Sequence, residues 1–185
     1  MKKQLTFLFF ILLSISLYAQ NSESIIVDGK PVSEEEFYNI QNNGWSIIEF
    51  QGLTLLGNFS NKDYLLRLNI NCSDTSKKSS FLIEYSDNYR DGTFGGLDFV
   101  SSKPDEYRII TFSVDNQEFD NPFIRNDKNV LLAFKEALKS GKMLTIKTFI
   151  KESNPYVKEE VIKLGREIEF KLDNSHLLDT PISCK

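Results

Sequence analysis

The chain has 185 residues, 41% apolar and 26% charged, with 26 acidic against 22 basic side chains and a formal net charge of −4. That length suits one domain in the usual range of about 100–200 residues. The acidic balance argues against nucleic acid or an anionic membrane surface as the main partner.

The chain opens MKKQLTFLFFILLSISLYAQ. Lys2 and Lys3 are followed by an apolar run from Leu5 to Leu17, then Tyr18 and Ala19 before Gln20. Charge, short apolar core and small residue are the order of a secretory signal peptide. The run is shorter than the roughly 20 residues that a membrane-spanning helix needs. No cysteine follows the run, which argues against a lipid-anchored cysteine. The expectation is a signal peptide over 1–19, cut after Ala19, and a single β-rich domain over 20–185. Such a protein is exported, to the periplasm or beyond, with no transmembrane segment once the signal is removed. Loss of the two lysines makes the mature chain more acidic still.

Ile25–Val27 reads as a short strand, and Asp28-Gly29 as a tight hairpin turn. In SEEEFYNIQNNG, Ser33 and Glu36 have capping-box spacing, which predicts a helix over about 34–42, stopped at Gly44. Three acids at its start, Glu34, Glu35 and Glu36, suit the helix dipole better than a cation site. From Trp45, expected to be a core aromatic, the texture changes to short runs rich in Ile, Leu, Phe and Tyr. Tyr64, Leu66, Leu68 and Ile70 alternate with Leu65, Arg67 and Asn69, and Phe81, Ile83 and Tyr85 alternate with Leu82 and Glu84. Period-two spacing marks half-buried strands. Repeated strands without intervening helices point to antiparallel pairing.

NDKNVLLAFKEALKSGKMLTIKTFI, residues 126 to 150, reads as helix, stop and strand. Asn126 or Asp127 caps the helix. Val130, Leu131, Phe134, Ala137 and Leu138 fall on one face, Gly141 offers a left-handed stop, and a strand begins at Met143. A turn at KESNPY follows, then two strands with a turn near Gly165, then a terminal turn or short helix in DNSHLLDTPISCK. Cys72 and Cys184 lie 112 residues apart. In an exported chain an even cysteine count suggests a disulfide. The fold class is α+β and mainly β: an antiparallel β-sandwich or partial barrel with one packed helix over about 127–140 and a short N-terminal helix over about 34–42.

The order of LLAFKEALKSGKMLTI, EIEFKLD and SHLLDTPISC resembles the end of the invasion-associated locus B family. It is also similar to the layout of some type VI secretion accessory proteins. The resemblance covers about a third of the chain. It implies a small, β-rich, exported bacterial domain and carries over no catalytic residue.

The residues offer little catalytic chemistry. His176 is the only histidine, so the commoner zinc sets are excluded, and a pairing with Cys72 or Cys184 is the only Cys–His option. No G-x-S-x-G elbow occurs. Counting an EF-hand loop from Asp87 gives Asp87, Tyr89, Asp91, Gly92 and Asp98. Tyr89 stands where an oxygen donor is needed, and a glycine-rich connection is the better reading. VDNQEFDNPFIRND brings together Asp115, Glu118, Phe119, Asp120 and Phe123, followed by Asp127. These are candidates for binding a partner, sugar or cation, or for carboxylate-based hydrolysis. The expected function is a non-catalytic binding or envelope accessory domain without a cofactor. Its partner would be an envelope or extracellular protein or glycan. A small secreted hydrolase using carboxylates, or an inhibitor or immunity-type protein, are the alternatives.

Overall fold

A computed structural model describes residues 24–85, 100–101, 108–125, 127–153 and 160–184. The expected signal peptide and the 87–98 loop lie outside these residues. Strands and helices follow in the order β1 (Ile25–Val27), β2 (Lys30–Val32), α1 (Glu34–Tyr38), β3 (Trp45–Phe50), β4 (Leu53–Asn58), β5 (Tyr64–Asn69), β6 (Ser80–Tyr85), β7 (Val100–Ser101), β8 (Arg108–Val114), β9 (Gln117–Asp120), α2 (Lys128–Ser140), β10 (Met143–Ser153) and β11 (Glu160–Lys171). A 3-10 helix, Ser175–Asp179, comes last. The strands form two antiparallel sheets, β2-β1-β3-β4-β5-β6-β7 and β11-β10-β8-β9, which do not close into a barrel. Among the described residues, no helix is long and apolar enough to cross a membrane.

Local chemistry explains the hairpins. Asp28 and Gly29 have φ of 50° and 76°, and Gln51 and Gly52 have 52° and 72°. Two consecutive positive φ values match the twist of the flanking strands, so β1–β2 and β3–β4 each close over two residues. α1 has the expected capping box. Ser33 accepts from the Glu36 backbone, and the Glu36 carboxylate accepts from the Ser33 N–H at 2.7 Å. It ends at Tyr38 rather than near 42. The Asn39 N–H folds back to the Glu36 carbonyl, and the Asn42 side chain is taken by the Gly44 N–H and the Ser46 hydroxyl. Asparagine side chains bonded this way compete with helical propagation.

In α2, Asp127 is the cap, accepting from the backbone N–H of Asn129 and Val130. Phe134 and Leu138 are buried, while Val130 stays exposed. Gly141 is extended (φ −81°, ψ 172°) and not left-handed. It is there for space, since a Cβ would lie 2.3 Å from Val114 Cγ1. Nor does the chain turn at Gly165. β11 is one strand, and its register against β10 shifts where Thr148 faces Arg166 and Phe149 faces Leu164. Gly165 is the extra residue of a β-bulge, the other use of glycine inside a strand.

Both sheets and α2 bury one shared core. Trp45, Leu56, Leu66, Leu68, Phe81 and Ile83 come from the first sheet, and Phe112, Leu144, Ile146, Ile168 and Phe170 from the second. Phe112 packs edge-on to Phe81 and Phe134 at 5.1 and 5.4 Å between centroids. Such pairs add about 0.5–1.5 kcal/mol beyond their buried area. Trp45 is fully buried, and its indole N–H has no partner among the described residues.

The sheets are joined along one side. Gly44 bridges Asp173, the Trp45 N–H donates to the Asp173 carbonyl, and buried Asn58 donates to the Lys171 carbonyl at 2.7 Å. β4 and β5 pair only at Gly57–Arg67 and Asn58–Leu66, then diverge. Residues 182–184 fill the split. Ile182 N–H donates to Asn71, Ser73 N–H donates to Ile182, and Ser183 N–H donates to Thr54 at 2.7 Å. The Cys72–Cys184 disulfide locks this segment, with Cα atoms 5.3 Å apart.

Candidate ligand groove

The first sheet is apolar on both faces. Strand alternation sends Trp45, Leu56, Leu66 and Leu68 into the shared core. It sends Ile48 and Phe50 of β3, Leu55 of β4 and Leu65 and Arg67 of β5 to the opposite face. There Val27, Ile48, Phe59 and Leu65 form a second buried cluster, flanked by Ile25, Val32 and Phe37. α1 covers one end, with Phe37 edge-on to Phe59 at 5.5 Å. Gly57 makes the close packing possible, because a Cβ there would lie 2.7 Å from Ile48 Cδ1.

Between this cluster and the rim lies an open groove of about 850 Å³. Its floor is Ile48, Phe50, Leu55 and Leu65; one wall is Ile25, Val32 and Phe37. Ser24, Ser33 and Glu34 stand along the wall, and Arg67 and Glu84 complete the lining. Arg67 and Glu84 form an ion pair on the diagonal between β5 and β6. The Arg67 Nε–H is buried and has no acceptor among the described residues. The capping box beside the wall holds the Glu36 carboxyl below its usual range, through bonds from the Ser33 backbone first and its hydroxyl second. The volume is that of a small-molecule site, typically about 300–1,000 Å³ with apolar walls and a few polar groups.

The candidates from the sequence sit elsewhere. Asp115, at φ 52° in the β8–β9 turn, accepts from the backbone N–H of Lys142 and Met143. Glu118 and Asp120 are exposed on β9. Phe119 packs on Phe134 at 5.2 Å, and Phe123 is buried in the shared core. The segment's aromatics therefore point inward, and Asp115 and Asp127 are engaged with backbone N–H groups. Cys72 and Cys184 are bonded to each other, so neither is a thiol for His176, which is exposed on the 3-10 helix. No group of three or more His, Cys, Asp or Glu that could hold a metal occurs among the described residues.

From the sequence, Ser33 and Glu34 read as helix cap and first turn, and no groove residue reads as a ligand contact. The available signal was adjacent apolar pairs in neighbouring strands, Ile47-Ile48, Leu55-Leu56 and Leu65-Leu66. Such pairs mean that both faces of a sheet are covered.

A family model described as YfjT matches residues 43–176, well over half of the chain. The matched family is thus YfjT rather than the invasion-associated locus B family. No curated protein and no solved structure matches the chain.

Proposed function

The chain belongs to the YfjT family, and we propose that it acts as an exported, non-catalytic binding domain of the cell envelope. The observation that carries the reading is the groove on the outer face of the first sheet. Its floor of Ile48, Phe50, Leu55 and Leu65, together with Arg67 and Glu84, falls within the family span, while the wall made by β1, β2 and α1 precedes it. The family body thus supplies the binding surface, and the preceding segment closes one side of it.

Two further features support export. The 1–19 sequence has the layout of a cleavable leader, and disulfides persist in oxidising compartments. Intact mass of the protein from its native host, with and without reductant before thiol alkylation, tests this half of the reading. A mass starting at Gln20, with both cysteines protected until reduction, is expected. A product that keeps Met1 and alkylates twice without reductant overturns it.

A further inference from the structure

We infer that the groove takes a neutral acyl-chain amphiphile, its tail along Ile48, Leu55 and Leu65 and an uncharged acceptor in its head at the Arg67 Nε–H. The inference rests on the binding reading above and names its ligand class.

The floor is the face of a hydrogen-bonded sheet. Ile48 pairs with Leu55 across β3–β4, and Leu65 pairs with Glu84 across β5–β6. A peptide laid on such a face would bury N–H and C=O groups without partners, which is costly. An acyl chain carries no such groups. Tail burial is favourable in proportion to the apolar area removed from water.

The polar lining selects the head. Arg67 and Glu84 neutralise each other through the Arg67 Nη2 group, and the buried Nε–H is left without an acceptor among the described residues. A buried donor without a partner is costly and uncommon, and an ester carbonyl or a hydroxyl satisfies it. A carboxylate or phosphate head would meet Glu84 beside the donor and Glu34 along the wall. An ammonium head could face those acids but cannot accept from Arg67.

The test uses N-phenyl-1-naphthylamine, a neutral apolar fluorophore, on the disulfide-bonded protein at pH 8. Monolaurin, laurate and dodecylammonium compete for the bound probe. Monolaurin is expected to displace it at a concentration about tenfold below either charged amphiphile. Phe50→Asp, which places a charge in the groove lining, abolishes uptake. Arg67→Lys keeps the charge but has no Nε–H, and reduces the tenfold preference to less than threefold. Phe50→Trp keeps the groove apolar, and its fluorescence is quenched by a brominated monoacylglycerol. That readout stands even if the Phe50→Asp protein does not fold. Equal or better displacement by laurate, or a preference unchanged in Arg67→Lys, overturns the ligand class and leaves groove binding intact. No probe uptake, or no quenching of the Phe50→Trp protein, overturns the binding reading itself.

Discussion

Asp179 shows how single side chains hold the surface of this protein together. Its carboxylate receives Lys135 and Lys139 of α2, each at 2.8 Å, and ties the 3-10 helix to α2. Hydrogen bonds from Lys135 and then Lys139 hold its carboxyl down at about 2, and the Asp179 hydrogen bond in turn raises Lys139. Because the folded value lies below the unfolded one, this contact stabilises fully above about pH 4 and is lost as pH falls through about 2. Melting temperatures of the native protein and Asp179→Asn should differ at pH 6 and converge near pH 2. Asn58 works inside the body. It is fully buried, donates to Lys171, and accepts from the Ser60 N–H and hydroxyl. Asn58→Ala should cost about 2 kcal/mol through the unpaired groups it leaves. Asn58→Asp, which faces the Lys171 carbonyl with a second acceptor, should cost about 3 kcal/mol. Urea denaturation checks both.

α1 is too short to persist by propensity, since isolated helices shorter than about 12–15 residues are marginal. Its capping box and the Phe37–Phe59 contact keep it over the groove. Ser33→Ala should cost about 1 kcal/mol. It should also weaken probe binding roughly threefold by loosening the wall, while Thr at the same position should restore the binding. Elements governed by neighbouring residues were legible in the sequence: the Asp28-Gly29 turn, the Ser33 box, the Asp127 cap, and the alternation in β5 and β6. Elements governed by distant residues were not. Ile162 and Leu164 on one side of Gly165, and Ile168 and Phe170 on the other, read as two strands with a turn at the glycine. The Gly165 bulge instead leaves Ile162 and Leu164 exposed and turns Ile168 and Phe170 into the core. The groove was hidden for a related reason. Leu65 and Leu66 look alike in sequence, and only the partner sheet and α1 decide which face each one covers.

At the level of the whole molecule, a shared core, the backbone join at Gly44–Asp173 and one disulfide hold together two sheets that do not close into a barrel. A bridge across 112 residues stabilises by about 5 kcal/mol in the chain-entropy model. Cys184→Ser should therefore lower unfolding stability by about that amount. It should also speed hydrogen exchange at the Ser183 amide more than at β10. Equal denaturation midpoints with and without reductant would contradict this.

The split between β4 and β5 has a temporal meaning. The ribosome makes both strands long before it reaches residues 182–184, which complete the sheet between them. Throughout that interval β4 and β5 can pair at Gly57–Arg67 and Asn58–Leu66, while the backbone groups of Thr54, Asn71 and Ser73 wait for their partners. Completion waits for the closing segment and is sealed by oxidation. A chain cut short before Ser183 thus leaves the Thr54 backbone without the partner that closes this edge.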